Sequence, residues 1–154
     1  MKDVKSILVP VDFSETSSAA LAYAAELAAR FGAKVELLHV WDVPPYIPPE
    51  AMVGVPGSDP RSLGQLAREH ASEEMARLVA EYGTRLPIAE TLLESGDPAR
   101  VIVDMAERRG SDLIVIGTHG RTGFSHLLLG SVAEKVVRRA TRPVLTVRGS
   151  QAAG

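Results

Sequence analysis

Asp112-Leu113-Ile114-Val115-Ile116-Gly117-Thr118-His119-Gly120-Arg121-Thr122-Gly123 is the stretch on which the fold turns. Its first half is the most continuous apolar run of the chain, and a run without polar alternation suits a strand covered on both faces. Its second half is a glycine-dense loop leaving that strand. Beyond the loop, Ala133, Val136, Val137 and Ala140 fall at the i, i+3, i+4, i+7 spacing of a helix face. Arg138, Arg139 and Arg142 sit near the negative end of that helix, Pro143 ends it, and Val144-Leu145-Thr146-Val147 reads as a last strand.

Toward the amino terminus the alternation repeats. Asp97 before Pro98 is a helix start, because the Asp side chain caps a free amide and proline at the first helical position lacks a donor that would be orphaned anyway. That helix runs to about Arg109 and stops at Gly110. Ile88 to Leu93 is a strand, and Glu90 within it points to a sheet edge. Ala67, Ala71, Met75, Leu78 and Tyr82 mark the preceding helix, and Val35 to Val40 the strand before that. Between them, residues 42–60 hold Pro44, Pro45, Pro48, Pro49 and Pro56 with Gly54 and Gly57, a composition that argues against any regular structure. Ser14 caps the first helix, whose stripe is Ala20, Ala24, Leu27, Ala28 and Phe31, with Gly32 placed to end it. Ser6 to Val11 is the first strand.

Each crossover is long enough only for parallel strands, so the pattern implies one doubly wound α/β domain of five strands and four helices. No internal boundary interrupts it, and the small, polar tail 149–154 is expected to be disordered. The length of 154 residues fits a single domain. With 45% apolar and 23% charged residues the chain is too apolar for disorder, and it lacks the ~18 consecutive apolar residues of a membrane span. Seventeen Lys and Arg against nineteen Asp and Glu leave a net charge of −2, which argues against general DNA or RNA binding. The absence of cysteine removes thiol catalysis and thiolate metal sites. The opening residues show no export signal, so the cytoplasm is the expected location.

The chemistry concentrates between Gly117 and Ser131, where glycines are spaced Gly117-x2-Gly120-x9-Gly130 with Ser131 next. Glycines after a strand allow positive φ and close backbone approach, and successive amides then form an anion-binding concavity. Gly130-Ser131 opens a helix, whose free amides and positive dipole end add to the same site, with the Ser131 hydroxyl as a further donor. A phosphate is the natural guest. There is no Gly-Lys-Ser/Thr and no Gly-x-Gly-x-x-Gly, so neither a Walker loop nor a dinucleotide fingerprint is present.

In this spacing the chain resembles the nucleotide-binding branch of the universal stress protein family. The opening Ile7-Leu8-Val9-Pro10-Val11-Asp12-Phe13-Ser14, His39-Val40 at the end of the second strand, and Arg142-Pro143-Val144-Leu145 carry the likeness over residues 3 to 148, and so over a domain of residues 1–148. The resemblance implies a Rossmann-like sheet of strand order 3-2-1-4-5, with Asp12 and Gly117 flanking the crevice at the topological switch point. It implies ATP with a magnesium ion, Asp12 at the ribose and adenine, main-chain contacts from Val40, and phosphates held by Gly117, Gly120, Gly130 and Ser131. Pro10 and Val132 complete the implied cofactor-binding set. The function implied is a stress-linked sensor or switch, with a homodimer formed through strand 144–147, an edge whose unpaired main-chain groups fit that role.

Simpler roles are open for several of these residues. Asp12 or Ser131 can serve as a helix cap, and Arg121 either reaches a terminal phosphate or is an exposed loop cation. His119 and His126 invite a general-base reading, but neither shows an orienting partner in the sequence. His39 reads as a satisfied interior histidine, His70 as a helix-flank residue, and Lys135, Arg138 and Arg139 as a solvated face. Residues 42–60 have three candidate roles: lid, partner surface or disordered insert; of these, a lid or contact segment is the expectation. No efficient catalysis is expected. The rivals to a switch are a slow ATPase or phosphotransferase in the same pocket and a nucleotide-independent interaction protein, and a cyclic nucleotide is also open as the guest.

Overall fold

The computed structural model describes residues 3–42, 46–54, 56–57, 59–119 and 129–149. Its central sheet has five parallel strands: β1 (Ser6–Pro10), β2 (Lys34–Trp41), β5 (Ile88–Ser95), β6 (Leu113–Gly117) and β7 (Val144–Val147). Their order is β5-β2-β1-β6-β7, which is 3-2-1-4-5 counted along the sheet's own strands. The remaining elements are α1 (Glu15–Phe31), the short strands β3 (Met52–Val53) and β4 (Arg61–Ser62), α2 (Leu63–Tyr82), α3 (Pro98–Arg109) and α4 (Ser131–Arg139).

The period-two alternation of the strands divides the interior into two layers. Ile7, Val9, Leu37 and Val115 pack against α1 and α2, while Leu8, Leu38, Ile114 and Ile116 pack against α3 and α4. Both faces are covered, so the strands read as unbroken apolar runs. Each fully buried Leu or Ile contributes about 1.5–3 kcal/mol. The helix signals act as their chemistry demands. Ser14 accepts from the Ser17 amide, Asp97 from the Arg100 amide, and Gly32 and Gly110 take left-handed φ of 64° and 65°.

Three expectations change, and one feature is new. Residues 42–60 are not free of regular structure: Met52 pairs with Ser62 and Val53 with Arg61, in antiparallel sense, because the prolines flank those pairs and do not interrupt them. Phe31 and Val137 share the apolar stripes of their helices but are 47% and 45% exposed, since the sheet covers only part of each helix. Helix α4 ends at Arg139, well before Pro143, whose carbonyl already accepts from Ile114 in the sheet. Glu36, inside an apolar strand, is 1% exposed.

That buried carboxylate is paired from the far end of α3. Arg109 donates from Nε at 3.0 Å and Nη2 at 2.9 Å to the two Glu36 oxygens, and also bonds Glu90. Lys34 Nζ lies 3.5 Å away. The Arg109 hydrogen bond holds the Glu36 carboxyl below its ordinary range against the opposing effect of burial. Glu90 therefore marks the edge strand as its charge implied, and it pairs with Arg109 while staying half exposed to solvent.

Candidate functional site

Beyond the carboxyl ends of β1, β2 and β6 lies a cleft of about 530 Å³. It opens where β1 and β6 lead to helices on opposite faces of the sheet, the switch point at which open α/β sheets take ligands. Pro10, Asp12, Val40, Gly117, Gly130, Ser131 and Val132 all line it, so the structure brings together every site residue named from the sequence that falls among the described residues. Gly120, Arg121 and His126 lie outside the described residues, as does all of the tail beyond Gly149.

One end of the cleft is formed by strand termini. The Asp12 amide donates to Ser17 Oγ at 3.4 Å, and Asp12 Oδ1 accepts from the Ser14 amide at 3.0 Å. Ser14, and not Asp12, caps α1. The carboxylate thus orders the turn that carries it into the cleft. Phe13, next in that turn, has φ of 65°, a conformation that is costly for a residue with a bulky side chain. Its ring packs on His39 with centroids 4.5 Å apart. His39 Nδ1 donates to the Val11 carbonyl at 2.7 Å, so the histidine is satisfied as expected, but it is half-buried and lines the cleft and is not an interior residue.

Main-chain direction at Val40 follows from the ladder. The Leu38 carbonyl accepts from Val11 and therefore faces β1, while the Trp41 carbonyl accepts from Gly96 and faces β5. Groups on one strand alternate sides, so Val40 directs its amide and carbonyl toward the side that β1 leaves after Pro10. Apolar walls from Leu38, Ile102, Ile116 and Ala133 stand around this edge, with Ala67, His70 and Ala71 of α2 on the other side. His70 is exposed on its helix, yet it forms part of that wall.

The other end is the start of α4. Gly130 is its N-cap, at φ −68° and ψ 165°, and among the described residues no side chain caps the helix. Ser131 is thus the first helical residue and not the cap. The amides of Ser131, Val132 and Ala133 have no partner within the helix, and they face the region of highest positive helix potential. Thr118 ties this end together: its amide donates to Val147 and its carbonyl accepts from Gly130. The Thr118 hydroxyl lies 3.0 Å from His119 Nδ1, which gives His119 the orienting partner that the sequence did not reveal.

The two described glycines of the motif do not work as their spacing implied. Neither Gly117 nor Gly130 has positive φ. At Gly117 a Cβ would stand 2.9 Å from the Thr16 main chain, so glycine there lets α1 approach the end of β6. Sequence reading also missed Phe13, Thr118 and Trp41. No local pattern marks a phenylalanine for left-handed φ, and Trp41 reads simply as the residue after the strand.

The model of the universal stress protein family matches residues 3–148. Universal stress protein MJ0531 of Methanocaldococcus jannaschii is 37% identical over 148 residues, spanning 94% of this chain and 82% of that relative. The universal stress protein UspA from Lactobacillus plantarum has a TM-score of 0.74 at 27% identity, covering 96% of this chain and 100% of that one. The universal stress protein from Archaeoglobus fulgidus in complex with dAMP has a TM-score of 0.64 at 26% identity, covering 95% and 99% of the two chains. With the sheet order, the switch-point cleft and a sequence match over nearly its whole length, the chain belongs to the universal stress protein family.

Proposed function

We propose that the protein binds an adenine nucleotide, ATP with magnesium, and acts as a ligand-responsive switch in a stress response. The observation that carries this reading is one cleft with a main-chain donor and acceptor at Val40 and a helix start at Ser131 whose N-cap, Gly130, has no side chain to occupy the free amides. Adenine offers an acceptor at N1 beside a donor at N6, the complement of the Val40 edge. Phosphates suit the α4 amides. Asp12, an acceptor near the strand ends, suits ribose hydroxyls and would repel phosphate. A dAMP complex of a relative supports the nucleotide class. Among the described residues no group of three His, Asp or Glu side chains is placed to hold a metal, so magnesium would travel on the phosphates it bridges. Gly120 and Arg121 would extend the phosphate site. Mass spectrometry of the small molecule released by denaturing the purified protein tests the proposal, with an adenine nucleotide expected. Protein that carries none, and takes none up, would favour an interaction role without nucleotide.

A second reading, slow hydrolysis, is favoured by the Thr118–His119 pair at the phosphate end. Amides that hold ground-state phosphates as firmly as transition-state oxygens give affinity without rate. Phosphate release under saturating ATP and magnesium is therefore expected far below the ~10 per second of a median enzyme. Several turnovers per second, lost in His119→Ala, would make the protein an ATPase.

A homodimer through β7 belongs to the same proposal. This strand is a sheet edge, all four of its residues are half-buried, and no helix of the described residues is long and apolar enough to cross a membrane. Leu145→Pro removes a donor from the edge and should shift the mass found by light scattering to that of a monomer. A folded variant that remains a dimer would place the interface elsewhere.

A further inference from the structure

We infer that His39 is the positioning residue that makes the Val40 main chain available to a ligand, by ending the β1–β2 ladder at the point where the cleft begins. This rests on the adenine-nucleotide reading and specifies how its base is recognised.

The argument is one of register. Pro10 pairs with Leu38, and the Leu38 carbonyl accepts from Val11. In a parallel ladder the next two bonds are fixed by that register: the Val40 amide would donate to the Val11 carbonyl, and the Phe13 amide to the Val40 carbonyl. Neither bond is made among the described residues. The Val11 carbonyl instead accepts from the His39 ring at 2.7 Å. A carbonyl only accepts, so Nδ1 carries the proton in this contact. The second bond is lost because Phe13 turns left-handed, at φ 65°, and carries its amide away from β2. His39 supports that turn as well, since its ring packs against the Phe13 ring.

A single side chain thus takes the acceptor that would close one bond and steadies the turn that opens the other. Val40 is left with a donor and an acceptor facing the cleft, on a strand whose other edge is pinned by β5. Without His39, the Val11 carbonyl is the acceptor that the ladder register assigns to the Val40 amide. Continuing the ladder by that one bond would close the recognition edge.

The test compares AMP with 1-deaza-AMP, which lacks the N1 acceptor that the Val40 amide would serve, by calorimetric titration of the full chain. Wild type should prefer AMP by about tenfold, the scale of one or two neutral hydrogen bonds. In His39→Leu the ratio should fall toward one. In His39→Asn, whose side-chain amide nitrogen replaces Nδ1, it should recover. A merely structural histidine would weaken both ligands in proportion and leave the ratio unchanged, which would overturn the inference. Amide exchange in the ligand-free wild type supplies a measurement that needs no variant. The Val40 amide should exchange much faster than that of Leu38, and equal protection would contradict the released edge. Failure of wild type to bind either nucleotide would refute the nucleotide reading itself, whereas binding with an unchanged ratio in folded His39→Leu refutes only the role of His39.

Discussion

Ser131→Pro should leave the domain folded and lower its affinity for ATP by about a hundredfold or more. Proline is favoured at the first position of a helix, where its missing donor is not needed by the helix and its fixed φ fits. The preceding residue, Gly130, already has φ −68° and ψ 165°, the extended conformation that a following proline requires. The substitution therefore removes the residue 131 amide and hydroxyl from the cleft without asking the backbone to move. Each donor to a charged acceptor is worth about 1.5–3 kcal/mol, so losing both accounts for the expected change. Ser131→Ala keeps the amide and should lose roughly tenfold. Calorimetry with circular dichroism as a folding check separates these outcomes. Wild-type affinity in a folded proline variant would mean that phosphates do not sit at the start of α4.

Arg109→Ala should be the most damaging single change outside the core. It leaves the Glu36 carboxylate, 2% exposed in its side chain, without its two short hydrogen bonds. Removing one partner of a buried ion pair costs about 3–5 kcal/mol, because the remaining charge is barely solvated, and Lys34, 3.5 Å away and itself half exposed, offsets only part of the loss. For a domain of this size that lowers the melting midpoint by roughly 10 °C or more. Acid should narrow the gap. The Glu36 pKa is lowered on folding, so its contribution is complete above the unfolded carboxylate value and disappears as pH falls through the lower folded value. In urea titrations the difference between wild type and variant should be full at neutral pH and smaller in acid. A constant difference across that range would show that Arg109 acts through its aliphatic packing. Glu36→Leu combined with Arg109→Leu should recover much of the loss, since an apolar pair of similar volume needs no desolvation.

The elements that were legible in the sequence are those with a local physical cause. Caps at Ser14 and Asp97, stops at Gly32 and Gly110, and the unbroken apolar strands all depend on residues within a few positions of one another. The cleft could be approached because the glycine motif and the first strand mark the ends of β6 and β1, which the sheet order brings side by side. What escaped notice was non-local. The acid at position 36 is tolerated chiefly because residue 109, at the end of another helix, reaches it. The left-handed turn at Phe13 is held by a ring on β2, and no pattern around Phe13 announces it. Gly117 shows the converse case, a correct position assigned to the wrong requirement, since its space is filled by Thr16. The short β3–β4 pair involves so few residues that composition alone outweighed it.

The central claim, that this cleft recognises adenine at Val40 and phosphate at the start of α4, is tested most directly by titrating ligand-free protein with magnesium-ATP and with magnesium-GTP. The only tryptophan, Trp41, lies in the cleft wall and reports occupancy alongside the calorimetric signal. Guanine reverses the donor and acceptor on its recognition edge, so it cannot satisfy the same main-chain pair. The account predicts one ATP per chain, a saturable change in Trp41 emission, and much weaker binding of GTP. No saturable signal with ATP up to about 1 mM, a binding energy of only about 4 kcal/mol, or equal affinity for the two nucleotides would contradict it.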